Sequence, residues 1–265
     1  MLIQCNNDFP HEGLRPYMDL KDVQLRTKWE TENGVFIAES WNVIERAREA
    51  GYSPISFLVS EQWARKGAER LQTLADPDTP IYVLPEEDTT HITGFRVHRG
   101  AMALMERTPL PAPSSLLKPS STVAVLEGLV DHTNVGAIFR SAAALGIDAV
   151  FISPDCADPL YRRSVRVSMG AVFQVPWTRL VKYPDPQLFT AYGFTTWALT
   201  PHGDAKLGET TRPRRLALIV GSEGPGLSPK ALTSADCRIT IPMSHDVDSL
   251  NVAQAAAIAF WATRQ

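Results

Sequence analysis

Three stretches in the second half of the chain gather residues able to bind, orient and polarise a ligand. The first is DHTNVGAIFRSAAALG, with Asn134 and Arg140 six apart on an apolar helical pattern. An amide donates and accepts, and a guanidinium offers a planar fork of donors, so the pair suits a phosphate or a hydroxyl. A helix beginning at Asn134 sets them in neighbouring sectors of adjacent turns, from which both can reach its opening end. The plainer alternative makes Asn134 a helix cap and Arg140 half of a surface ion pair. The second stretch, LALIVGSEGPGLS, is an apolar strand running into glycines at 221, 224 and 226, with Glu223 among them. Glycines allow tight turns and let a ligand approach main-chain N–H and C=O groups. The spacing is neither G-x-G-x-x-G opening a helix nor a loop ending in Gly-Lys-Ser/Thr, which argues against a dinucleotide or a nucleoside triphosphate. A simple tight turn with one exposed acid is the alternative. The third stretch, ITIPMSHDVDSLNVAQAAAIAFWATR, places Ser249 and Asn251 on either side of Leu250 where the last helix starts. Unpaired N–H groups and the positive dipole end favour polar or anionic contacts there. Ser244, His245, Asp246 and Asp248 do not make a hydrolase triad, because sequence neighbours do not converge and no G-x-S-x-G is present.

Each stretch follows or contains an apolar run of strand length, and in open α/β sheets ligands collect at the carboxyl ends of strands. Strands are expected at VAVLEGL, AVFIS, Gln174 to Trp177, FTTWALT, LALIVG and CRITIP. Helices are expected from Asn134 to Leu145, closed by Gly146, and from Asn251 to Arg264. The last one carries Val252, Ala255, Ala256, Ala259, Phe260 and Thr263 on one face, which packs on its own sheet or meets a partner subunit; a homodimer is expected to use this small-residue helix near Ala255 and Ala259. Arg162, Arg163 and Arg166 share a helical face and are candidate phosphate contacts, with structural ion pairing as the alternative. The first part of the chain reads as strand Val35 to Ala38, a helix capped by Ser40 and ended by Gly51, strand ISFLVS, helix Glu61 to Leu74 and strand IYVLP. Arg96, His98 and Arg99 then cluster near FRVHRGAMALMER, facing phosphate or forming a solvated basic loop. Between them TPLPAPSSLLKPSS suits an extended linker over 108–121 and divides an α/β domain of residues 1–107 from a second of 122–265.

Composition narrows the classes. At 265 residues, 44% hydrophobic and 21% charged, the chain is a folded globular protein. The net charge of -3 confines any nucleic-acid affinity to a local basic face. No run of about eighteen apolar residues is present, and the N-terminus lacks the marks of a signal peptide, so a cytoplasmic location away from membranes is expected. Cys5, Cys156 and Cys237 lie too far apart for a zinc knuckle or CxxC pair, and no metal is expected.

Together the motifs N-x-G-x-x-x-R at Asn134 to Arg140, G-x-E-x-x-G-L-S at Gly221 to Ser228, and I-P-M then S-L-N-V between Ile241 and Val252 resemble the SpoU-type RNA 2′-O-ribose methyltransferases, the TrmH-like branch of the SPOUT superfamily. The resemblance covers Thr122 to Gln265, and the first domain is more loosely similar to the ribosomal-protein-like RNA-binding domain of many members. It implies a parallel sheet with a deep trefoil knot, S-adenosylmethionine as cofactor, a homodimer through the C-terminal domain, and methylation of structured RNA, ribosomal RNA first and transfer RNA second. It implies that Asn134, Arg140, Glu223, Ser249 and Asn251 form the active centre. Cofactor contacts are implied at Leu199, Thr200, Gly221, Gly226, Ile241 and Met243, with Leu250 closing the pocket. Base-nitrogen methylation and a noncatalytic RNA-binding or ribosome-assembly role are the rival readings.

Overall fold

Apolar runs such as VAVL, AVFI and LALIV lack polar alternation because strands of a parallel sheet are covered on both faces. The computed structural model describes residues 2–4, 12–18, 20, 22–95, 100–245 and 248–264. The chain forms two compact units, Met1–Thr108 with Leu160–Phe173, and Pro109–Pro159 with Gln174–Gln265. Residues 160–173 were expected in the second domain; they pack with the first.

The first unit holds strands β1 (Leu2–Gln4), β2 (Val35–Glu39), β3 (Pro54–Ser60), β4 (Ile81–Leu84) and β5 (Ala101–Glu106) in a mixed sheet of order β1-β4-β3-β5-β2. Helices α1 (Val23–Glu32), α2 (Trp41–Glu49), α3 (Glu61–Lys66), α4 (Ala68–Leu74) and α5 (Glu86–Thr93) accompany it. Two expectations are corrected. Ser40 stands at the N-cap of α2 with φ of 87° and makes no side-chain capping bond. The single helix expected over Glu61 to Leu74 breaks at Gly67, which lies beneath the Trp41 ring; a Cβ there would come within 2.3 Å of it.

The second unit holds β6 (Thr122–Leu126), β7 (Ala149–Ile152), β8 (Trp177–Arg179), β9 (Thr195–Leu199), β10 (Ala205–Lys206), β11 (Leu216–Val220) and β12 (Cys237–Thr240). They form one wholly parallel sheet of order β10-β12-β9-β11-β6-β7-β8. The strand expected from Gln174 begins instead at Trp177, past Pro176, whose carbonyl accepts the N–H of Val150. The expected linker contains a helix, α6 (Pro113–Leu117), that buries Leu116 and Leu117 in the core of this unit. Proline at its first position is preset for a helix. Arg215 secures the segment by donating to the carbonyls of Leu117, Lys118 and Ser120.

Helix α7 (His132–Leu145) starts earlier than expected. Its cap is Asp131, which accepts from Thr133 N, and Gly146 ends it with φ of 76°. Helix α8 (Arg162–Val167) lies in the first unit and packs on β2. Helices α9 (Pro186–Thr190) and α10 (Pro229–Ser234) are short, and α11 (Val252–Thr263) closes the chain against α7. The small residues Gly136 and Ala142 on α7 and Ala256 and Ala259 on α11 are all buried.

Candidate active site

Strands β12, β9 and β11 are consecutive in the sheet and parallel, so their carboxyl ends are neighbours and the loops leaving them meet. They enclose a cavity of about 520 Å³, within the range of small-molecule sites. Leu199 and Thr200 line it from β9, Gly221, Glu223 and Gly226 from β11, and Ile241 and Met243 from β12, with Ser249, Leu250 and Asn251 completing the wall. Every residue implied to hold a cofactor thus faces one space. Among the described residues, no Lys or Arg lines it.

The loop after β11 is folded tightly on itself. Gly226 N donates to Ser222 O at 3.0 Å. A Cβ on Gly221 would lie 2.4 Å from the carbonyl carbon of Gly226, so only glycine fits there. Gly226 adopts φ of 71°, a left-handed conformation that side chains disfavour. The loop ends where Ser228 caps α10, accepting from Ala231 N.

Asn251 joins three elements. As the N-cap of α11, its Oδ1 accepts from Ala253 N at 2.9 Å and Gln254 N at 3.3 Å. Its Nδ2 donates to Asn134 Oδ1 of α7 at 3.0 Å and to Glu223 Oε1 of the glycine loop at 2.5 Å. Asn134 is buried in the first turn of α7 and is not its cap. Arg140 does not share its position. Six residues advance about 9 Å along a helix and turn about 240° round it. Arg140 is exposed, does not line the cavity, and has no hydrogen-bond or ion-pair partner among the described residues. The expectation that both motif residues reach the opening of the helix is therefore corrected for the single chain.

The basic candidates divide as well. Arg162 is not a free phosphate contact: its Nη1 lies 2.8 Å from Glu39 Oε2, both side chains are nearly buried, and its guanidinium stacks 4.3 Å from the centre of the Phe95 ring. Arg163 and Arg166 are exposed on α8, while Arg96, His98 and Arg99, like Asp246, lie outside the described residues. The sequence reading missed His202 and Ala255 as cavity residues. His202 follows β9 by a few positions, which was a usable signal. Ala255 was assigned to a dimer face instead.

A parallel α/β sheet with a cavity at its carboxyl edge, walled by apolar side chains, glycine main chain and the Glu223 carboxylate, defines a domain suited to a small ligand. The chain belongs to the SpoU rRNA Methylase family, a family of RNA methyltransferases: residues 121–261 match it. It is 41% identical over 263 residues, covering 97% of this chain and 89% of the relative, to a Mycobacterium bovis protein named as a tRNA/rRNA methyltransferase. It is 27% identical over 238 residues, 89% of this chain and 91% of the relative, to RlmP of Bacillus subtilis, a 23S rRNA (guanosine(2553)-2′-O)-methyltransferase. The fold matches the AdoMet-bound rRNA methyltransferase of Sinorhizobium meliloti with a TM-score of 0.84 at 20% identity, over 99% of this chain and 97% of that one.

Proposed function

We propose that the chain transfers the methyl group of S-adenosylmethionine to a ribose 2′-hydroxyl of structured RNA, ribosomal RNA in the first instance and transfer RNA in the second. The observation that carries this reading is the convergence of the loops after β9, β11 and β12 on one cavity, with Asn251 tying Asn134 and Glu223 together at its rim. The cavity fits this cofactor. It offers apolar walls and main-chain polar groups to a nucleoside, and Glu223 is compatible with a cationic ligand; among the described residues no Lys or Arg lines it to pair with a phosphate tail.

When bound, the cofactor supplies an activated methyl group on a good leaving group, so the protein's work is alignment and proton removal. Asn251, held from three sides, keeps Glu223 and Asn134 in register with the start of α11. Ser249 adds a hydroxyl to the cavity wall. Arg140, exposed and unpartnered among the described residues, is free to take an RNA phosphate and steady the attacking ribose. A guanidinium is a poor base, so phosphate or water receives the proton.

The same proposal has the chain act in the cytoplasm as a homodimer through its second domain, with a deep trefoil knot, while the first domain grips RNA shape. The dimer face is revised: Ala259 is fully buried within the single chain and Ala255 lines the cavity, whereas Ile258 and Trp261 on α11 are 41% and 55% exposed. Arg140 standing outside the cavity is the one observation favouring the noncatalytic RNA-binding reading. Incubation with labelled S-adenosylmethionine and ribosomal RNA from cells lacking the protein decides. Label in a ribose methyl group, located by nuclease digestion and mass spectrometry, is expected; label on a base nitrogen, or no label and no calorimetric cofactor binding, refutes the proposal.

A further inference from the structure

The glycine loop is fastened from outside the cavity by a residue that belongs to none of the motifs. Glu127 sits one position past the end of β6 and is 9% exposed. Its main-chain N–H donates to Val220 O at 2.9 Å, where the loop 221–228 begins. Its side chain reaches the other end: Ser228 N lies 3.3 Å from both carboxylate oxygens and donates to them. One residue therefore closes the base of the whole loop. Ser228 is in turn fully engaged, its hydroxyl accepting from Ala231 N and its carbonyl from Leu232 N. A second, half-buried group supports the clamp, because the Tyr183 hydroxyl donates to Glu127 Oε2 at 3.4 Å. Burial and the adjacent carboxylate raise the pKa of that phenol, which keeps its proton and remains a donor.

Neither Glu127 nor Tyr183 lines the cavity. Any influence on a ligand must pass through the loop, whose glycines make it costly to order if its ends are released. A hydrogen bond to a charged acceptor is stronger than one between neutral groups. We propose that Glu127 is a positioning residue for the methyl donor: by pinning Ser228 to the end of β6, it holds the main chain of 221–228 ready for S-adenosylmethionine and so sets cofactor affinity without touching cofactor or RNA. This rests on the cofactor reading above.

The test uses the purified full chain with Glu127→Ala, Glu127→Gln and Tyr183→Phe variants. Calorimetry with S-adenosylmethionine, filter binding of ribosomal RNA, and steady-state methylation are measured for each. Glu127→Ala is expected to raise Kd and KM for S-adenosylmethionine roughly tenfold or more, while kcat at saturating cofactor and RNA affinity stay within about threefold of wild type. Glu127→Gln keeps one acceptor oxygen and the shape, and restores most of the affinity, leaving about a threefold deficit. Tyr183→Phe leaves the Ser228 bond intact and changes affinity by less than about twofold. Wild-type cofactor affinity in either Glu127 variant overturns the inference, and Glu127→Gln carries that test if the alanine variant does not fold. Parallel loss of cofactor affinity, RNA affinity and kcat also overturns it, since that marks a general structural defect. Failure of the wild-type chain to bind S-adenosylmethionine is a different result: it removes the cofactor reading itself.

Discussion

Asn134 and Arg140 belong to one motif on one helix, yet the fold treats them oppositely. Asn134 is buried and bonded to Asn251, so it is committed to the chain's own architecture. Arg140, six residues further along, faces solvent with no partner among the described residues. Shared motif membership therefore does not mean shared work. One residue assembles the rim of the cavity, and the other is left available to something that comes from outside.

Substitutions test that division. The largest effect is expected at Arg140→Ala: methyl transfer falls about a hundredfold or more, the loss typical of removing one transition-state contact. Unfolding stability stays within about 0.5 kcal/mol, as for other surface changes. Single-turnover methylation and thermal unfolding check this, and a large drop in stability breaks the comparison. Next comes Arg162→Ala, which strands Glu39 nearly buried in the first unit. A cost of roughly 2–3 kcal/mol in urea unfolding is expected, somewhat below that of a fully buried pair, with cofactor affinity unchanged. Asn251→Ala removes a helix cap and two bridging donors together. It lowers stability by about 1–2 kcal/mol and weakens cofactor binding, both readable on one sample by calorimetry. The smallest effect is at Arg163→Ala or Arg166→Ala: unchanged stability, and a salt dependence of RNA binding shallower by a little under one unit per arginine that contacts phosphate. An unaltered slope in both removes α8 from the RNA surface.

The central strands were readable because a strand covered on both faces is apolar throughout, and β6, β7 and β11 fall where their runs do. Ordered motifs carried the cavity in the same way, since its loops leave the ends of β9, β11 and β12. What escaped depends on distance. The partner of Arg162 lies 123 positions away, so nothing in the arginine cluster announced an ion pair. The break at Gly67 arises from the Trp41 ring above it, not from the amphipathic pattern that continues through it. The proline-rich stretch reads as open linker until Arg215 is seen collecting its carbonyls. Asp131 outcompeted Asn134 as cap because it stands at the true start of α7, a boundary that periodicity alone does not locate.

The route of the backbone has a practical consequence. It passes from one unit to the other after Thr108, again after Pro159 and again after Phe173. The returning piece brings Phe173 against Phe36 and Tyr52, with ring centres 5.6 and 5.3 Å apart, and Arg162 against Glu39. A gene fragment stopping at codon 108 would leave an aromatic socket empty and an acid unmatched. Neither half can be exchanged between relatives by a single splice, and recombination has to carry both portions together or lose the fold of each.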